Sequence, residues 1–123
     1  MVFSQSKASG QYTPSLSDNA GYVKLDNGLI IQYGMITDVW LDECWYTVTF
    51  PIPFPHKAFT VNATLSPTAG ALHNGGFIAG GASAEIKGGS LTTTGVVLGS
   101  DAVNSGADVS KLKGDIWWMA IGY

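Results

Sequence analysis

The chain has 123 residues, of which 46% are apolar and only 12% charged, a balance that excludes a disordered tail and supplies one hydrophobic core for one domain. Six lysines, no arginine and nine acidic residues give a formal net charge of −3, so there is no basic footprint for nucleic acid and no bidentate clamp for phosphate or carboxylate groups. A single cysteine, Cys44, excludes an internal disulfide framework and a cysteine-based zinc site.

Residues 4–20 are polar, contain Ser, Gly and Pro, and show no periodicity. Residues 1–20 read as a linker or N-terminal arm, and 21–123 as the domain. The first ten residues hold Lys7 but no apolar segment, so no signal peptide is expected. No apolar run reaches the ~18 residues of a membrane helix, and no membrane insertion is expected.

Tyr22–Leu25 and Leu29–Tyr33 are β-rich runs separated by Asp26-Asn27-Gly28. Asn-Gly between such runs predicts a hairpin closed by a type I′ turn, with both central residues at positive φ. Gly34 is expected to end the second run or to let another backbone approach. Cys44–Phe50 predicts a strand with Tyr46, Val48 and Phe50 on one face and Trp45, Thr47 and Thr49 on the other. Pro51, Pro53 and Pro55 confine the next stretch to an edge or a crossing segment. Ala58–Leu65 resumes strand alternation, Phe59, Val61 and Ala63 against Thr60, Asn62 and Thr64. Weaker strands fit Ala84–Lys87 and Leu91–Leu98, within a glycine-rich region. The apolar run Asp115–Tyr123 should be tied into the core as a strand. No stretch shows a capped 3.6-residue period. Six or more short strands with Gly/Pro turns read as an all-β protein, an antiparallel β-sandwich.

Three segments carry a resemblance: Gly21–Gly34 (GYVKLDNGLIIQYG), Val48–Pro55 (VTFPIPFP) and Trp117–Tyr123 (WWMAIGY). In this order they resemble the C-terminal tip domain of tailed-bacteriophage tail-fibre proteins. Leu91–Val97 is similar to that family's penultimate strand. The resemblance spans residues 21–123, with Asp26, Tyr33 and Pro53 departing from the family pattern. The loop 37–43 and the glycine-rich segment 67–89 depart from it most. It implies a homotrimer joined to the rest of a tail fibre, which recognises bacterial surface polysaccharide or outer-membrane protein and is not an enzyme. It transfers no ligand, because those loops differ between members.

The residues themselves offer two candidate binding loops. In Thr37–Glu43, Asp38, Asp42 and Glu43 lie among Trp40, Trp45 and Tyr46. Aromatic faces beside carboxylates are how sugars are held, through C–H stacking and donated hydroxyls. The bland alternative is a solvated acidic turn with core tryptophans. In Thr68–Gly81, His73, Asn74 and Phe77 can project from a glycine-rich backbone, or form an ordinary loop. Receptor binding is expected at Asp38, Trp40, Asp42, His73, Asn74 and Phe77. His56 reads as a surface turn residue, and two histidines this far apart make no metal site. Cys44 reads as a small buried hydrophobe without a base beside it. No cofactor motif is present. Trp117 and Trp118 must point to opposite faces of one strand, so one of them needs cover outside the core. A neighbouring subunit or a second sheet would supply it. The leading function is a receptor-binding fibre tip. The alternatives are a structural trimerisation or capping domain, and a polysaccharide depolymerase, which would need a pair of carboxylates flanking the scissile bond.

Overall fold

The structure is a computed structural model that describes residues 15–16, 18–41, 44–67, 81–103 and 113–123. Eight strands follow in order: β1 (Ser15–Leu16), β2 (Ala20–Lys24), β3 (Ile30–Trp40), β4 (Cys44–Thr49), β5 (Ala58–Pro67), β6 (Gly81–Ile86), β7 (Gly95–Val103) and β8 (Lys113–Gly122). They build a five-stranded sheet ordered β1-β2-β3-β8-β5 and a three-stranded sheet ordered β4-β7-β6. Every pairing is antiparallel.

Strand alternation creates the core. On β8, Ile116, Trp118 and Ala120 are buried while Trp117 and Met119 face out. From the other sheet, Val48, Val96 and Leu98 pack against them. Each such side chain contributes roughly 1.5–3 kcal/mol by leaving water. The segment after β4 joins neither sheet and crosses between them. Its Phe50 and Phe54 are buried, with ring centroids 5.3 Å apart, and Phe50 lies 5.4 Å from Trp118. One polar side chain, Gln32, is wholly buried beneath it. Its Nε2–H donates to the Ile52 carbonyl (2.8 Å), and its Oε1 accepts from the Ile52 N–H (3.0 Å). The prolines leave Ile52 no ladder partner, and Gln32 supplies one.

The structure corrects several expectations. The turn after β2 is not type I′: Gly28 has φ of 95°, but Asp38 is the one described non-glycine residue at positive φ. Gly28 N–H donates to the Leu25 carbonyl, and Leu25 N–H to the Leu29 carbonyl. The loop therefore has three residues, closing on a left-handed glycine. Asn27 contributes through its Oδ1, which accepts from Leu29 N–H at 3.0 Å.

Gly34 does not end a strand. It lies mid-way along β3 opposite Trp118, and a side chain rather than a backbone approaches it. The predicted loop at 37–43 is strand as far as Trp40. One extra residue enters β3 between Ile36 and Val39, with Asp38 at φ of 58°. That bulge shifts the inward phase from Ile30 and Gln32 to Val39 and Leu41, both fully buried. A second bulge between Ala58 and Thr60 expels Phe59 from the inward set. Phe59 stacks on Tyr123 at 5.4 Å instead. Strand β7 begins at Gly95 and not at Leu91, because Thr92 Oγ1 accepts from the N–H groups of Thr94 and Gly95 and makes a turn there. Cys44 is half-buried.

Candidate functional site

The strand ends flanking residues 41–43, 68–80 and 104–112 all lie at one end of the sandwich, where Trp40 pairs Lys113, Pro67 pairs Gly114 and Gly81 pairs Val103. Both loops singled out in the sequence therefore leave from the same end. The hairpin at Gly28, the proline segment and Tyr123 occupy the opposite end.

Of the expected contact residues, Asp38 and Trp40 are described, and Asp42, His73, Asn74 and Phe77 lie outside the described residues. Asp38 is exposed within the β3 bulge, and its N–H donates to Asp115 Oδ1 at 3.2 Å. Trp40 is 42% exposed, and the Lys113 ammonium lies 4.2 Å from its ring centroid. Its backbone ties the two sheets together. The Trp40 N–H donates to the Tyr46 hydroxyl oxygen at 2.9 Å, and the Ser100 hydroxyl donates to the Trp40 carbonyl. Burial pushes the Tyr46 hydroxyl above its ordinary range, against the Trp40 N–H, which favours the phenolate.

The sequence places Trp40 and Trp45 together, and the fold separates them. Trp40 belongs to the outer face of the five-stranded sheet, and Trp45, 50% exposed, to the outer face of the other. In the three-stranded sheet Trp45, Gly99 and Glu85 stand side by side on neighbouring strands. Glu85 was not among the expected residues. The signal for this grouping is Gly99 within a strand pattern, which marks a close approach.

A second surface is apolar. Three cross-strand pairs, Met35–Trp117, Tyr33–Met119 and Ile31–Ile121, run down the outer face of β3 and β8. Trp117 is 40% and Met119 43% exposed. Val23 extends this face onto β2 opposite Ile31.

Residues 24–123 match the family described as tail fiber protein gp53-like, C-terminal. Among solved structures, the chain is similar to the N-truncated R1-type pyocin tail fiber, with 29% identity and a TM-score of 0.67 over 90% of this chain and 84% of that one. It is similar to the P. aeruginosa R1 pyocin fiber, with 28% identity and a TM-score of 0.67 over 90% of this chain and 28% of that one. The N-truncated R2-type pyocin tail fiber matches with 27% identity and a TM-score of 0.63, over 90% of this chain and 37% of that one. The chain thus spans 28% and 37% of the length of the last two fibre chains. None of the curated proteins matches it.

Proposed function

The chain belongs to the gp53-like family of tail-fibre C-terminal domains, and on that footing we propose that it is the receptor-binding tip of a bacteriophage or phage-derived tail fibre. It assembles as a homotrimer and attaches to a bacterial surface polysaccharide or outer-membrane protein. The expected boundary at residue 20 moves toward the N-terminus, because Ser15–Leu16 and Ala20 pair within the five-stranded sheet; the tip begins at β1, and the residues before it lead toward the rest of the fibre. The task is binding and not catalysis.

The observation that carries this function is the division of the surface. One outer face bears the apolar row from Met35–Trp117 to Ile31–Ile121, a patch of the kind monomeric proteins seldom leave in water. Copies of the chain related by a three-fold axis would cover it. The strand ends that flank residues 41–43 and 68–80 share one end, beyond the Met35–Trp117 end of the row. Receptor contact falls there, on Asp38, Trp40 and Asp42 and on His73, Asn74 and Phe77.

The test is made on the purified chain. Light scattering should give about 39 kDa, three times the 12.9 kDa of one chain. Fluorescently labelled protein should attach to some members of a bacterial panel and release no oligosaccharide from their lipopolysaccharide. Trp40→Ala or Phe77→Ala should weaken attachment roughly thirtyfold or more with melting unchanged, and Lys24→Ala should not. A monomer that attaches to no bacterium overturns the proposal, and a trimer that attaches to none leaves a capping domain.

A further inference from the structure

We propose that Trp45 is a stacking platform for one neutral pyranose ring of a bacterial surface polysaccharide, with Glu85 accepting hydrogen bonds from the sugar hydroxyls. This rests on the fibre-tip function above and names the ligand class of a subsite on a different face from the apolar row.

The platform follows from the strand register. Trp45 on β4, Gly99 on β7 and Glu85 on β6 are consecutive neighbours across the sheet. Gly99 lacks a side chain, and the indole fills its place: a Cβ there would lie 2.6 Å from Trp45 Cε3 and 2.8 Å from Cζ3. One side of the ring thus lies against the β7 backbone and buries Gly99, while half of the residue stays open to water. A ring held in this way is ordered before the ligand arrives, so binding loses little side-chain entropy.

The chemistry beside the ring is polar. Thr47, Thr49, Ser83, Glu85 and Lys87 are the exposed neighbours on this face, with Asp101 half-buried opposite Ser83, in contrast to the methionines and isoleucines around Trp117. Trp45 is therefore an isolated aromatic in a polar field and not part of an apolar interface. A hollow of about 200 Å³ is lined by Cys44, Trp45, Glu85 and Ser100. That is below the roughly 300–1,000 Å³ of a drug-sized site and suits one sugar residue and not a long chain segment. The C–H face of a pyranose packs on the indole, and the Glu85 carboxylate accepts from its hydroxyls. Glu85 beside the ring, together with Asp101 opposite Ser83, outweighs Lys87, the one cation on this face among the described residues, and repels uronic and sialic acids, so the subsite selects neutral sugars. Trp40 differs, because the Lys113 ammonium already lies over its ring.

The experiment uses protein ¹⁵N-labelled at the tryptophan indoles, with the Trp45 signal assigned through its loss in Trp45→Phe. The probes are the methyl pyranosides of glucose, galactose, mannose, rhamnose and N-acetylglucosamine, with methyl glucuronide as the charged comparison. At least one neutral probe should shift the Trp45 indole signal saturably and leave that of Trp118 unmoved. Glucuronide should bind about tenfold more weakly or worse, and Glu85→Gln should remove that discrimination while weakening the neutral sugar about tenfold. If no neutral probe moves the Trp45 signal, or if a natively melting Trp45→Ala keeps full affinity, the platform is overturned. Cell attachment separates this result from the fibre-tip function. A Trp45→Ala protein that attaches to cells like the parent overturns the platform alone, whereas a parent protein that attaches to no bacterium overturns the receptor-binding function itself.

Discussion

The indole of Trp118 occupies the space that a side chain on Gly34 would need: a Cβ there would lie 2.5 Å from Cζ2 and 2.7 Å from Nε1. The two residues face each other across β3 and β8. Trp118 also packs on Phe50, with ring centroids 5.4 Å apart, so making room for a Cβ means moving a rigid ring out of that contact. Gly34→Ala should therefore overpack the core and cost about 1–3 kcal/mol. Calorimetry or thermal circular dichroism should show melting lowered by about 4 °C for each kcal/mol. Melting equal to the parent's would mean that the ring relaxes into the neighbouring cleft beside Met35, Thr47 and Thr49.

The apolar row on β3 and β8 gives a prediction about assembly. Met119→Lys or Trp117→Lys places a charge on the face assigned to contact between copies, where it would be buried without a partner at a cost of several kcal/mol. Both side chains point away from the core, so the fold of a single chain should survive. Light scattering at micromolar concentration should change from trimer to monomer while the near-ultraviolet dichroism keeps its fine structure. A persistent trimer would place the subunit contact elsewhere.

Gln32 gives a prediction about stability that composition alone would reverse, since replacing a buried amide by leucine adds apolar volume. Gln32→Leu leaves the Ile52 N–H and carbonyl without the partners that Gln32 provides. A buried group stripped of its partner costs about 1–3 kcal/mol. Denaturant unfolding should show a midpoint well below the parent's, and Ile52 N–H should exchange its hydrogen faster. A variant as stable as the parent would show that water replaces the amide.

The turn at Gly28 separates backbone strain from packing. Nothing lies within 4 Å of a Cβ built there, yet φ is 95°. Gly28→Val should lose about 1–3 kcal/mol through strain alone. Gly28→Asn should lose less, because asparagine tolerates positive φ better. Equal melting of the two variants would contradict a strain origin.

Much of the fold is local and was legible from the residues. Alternation sent Trp117 and Trp118 to opposite faces, because successive side chains on a strand must do so, while only the fold decided that Trp118 is the buried one. Prolines 51, 53 and 55 excluded a central strand for the same kind of reason, the loss of ladder donors. Asn27-Gly28 announced a hairpin, although the three-residue form, with only the glycine left-handed, depends on how the two strands come into register. The two bulges were not legible. Nothing in the residues themselves says that Phe59 is expelled or that the inward phase moves from Gln32 to Val39, since an inserted residue is recognised only against the strand that it faces. The candidate site divides in the same way. Aromatics beside carboxylates were visible as composition, but the chain passes from one sheet to the other between β3 and β4, which puts Trp40 and Trp45 on the two outer faces of the sandwich. Trp45, Gly99 and Glu85 are separated by tens of residues and meet only because β4, β7 and β6 are adjacent. Local sterics and hydrophobic period belong to the chain and determine its strands and turns; cross-strand register is a property of the folded sheet, and it alone decided which side chains share a surface.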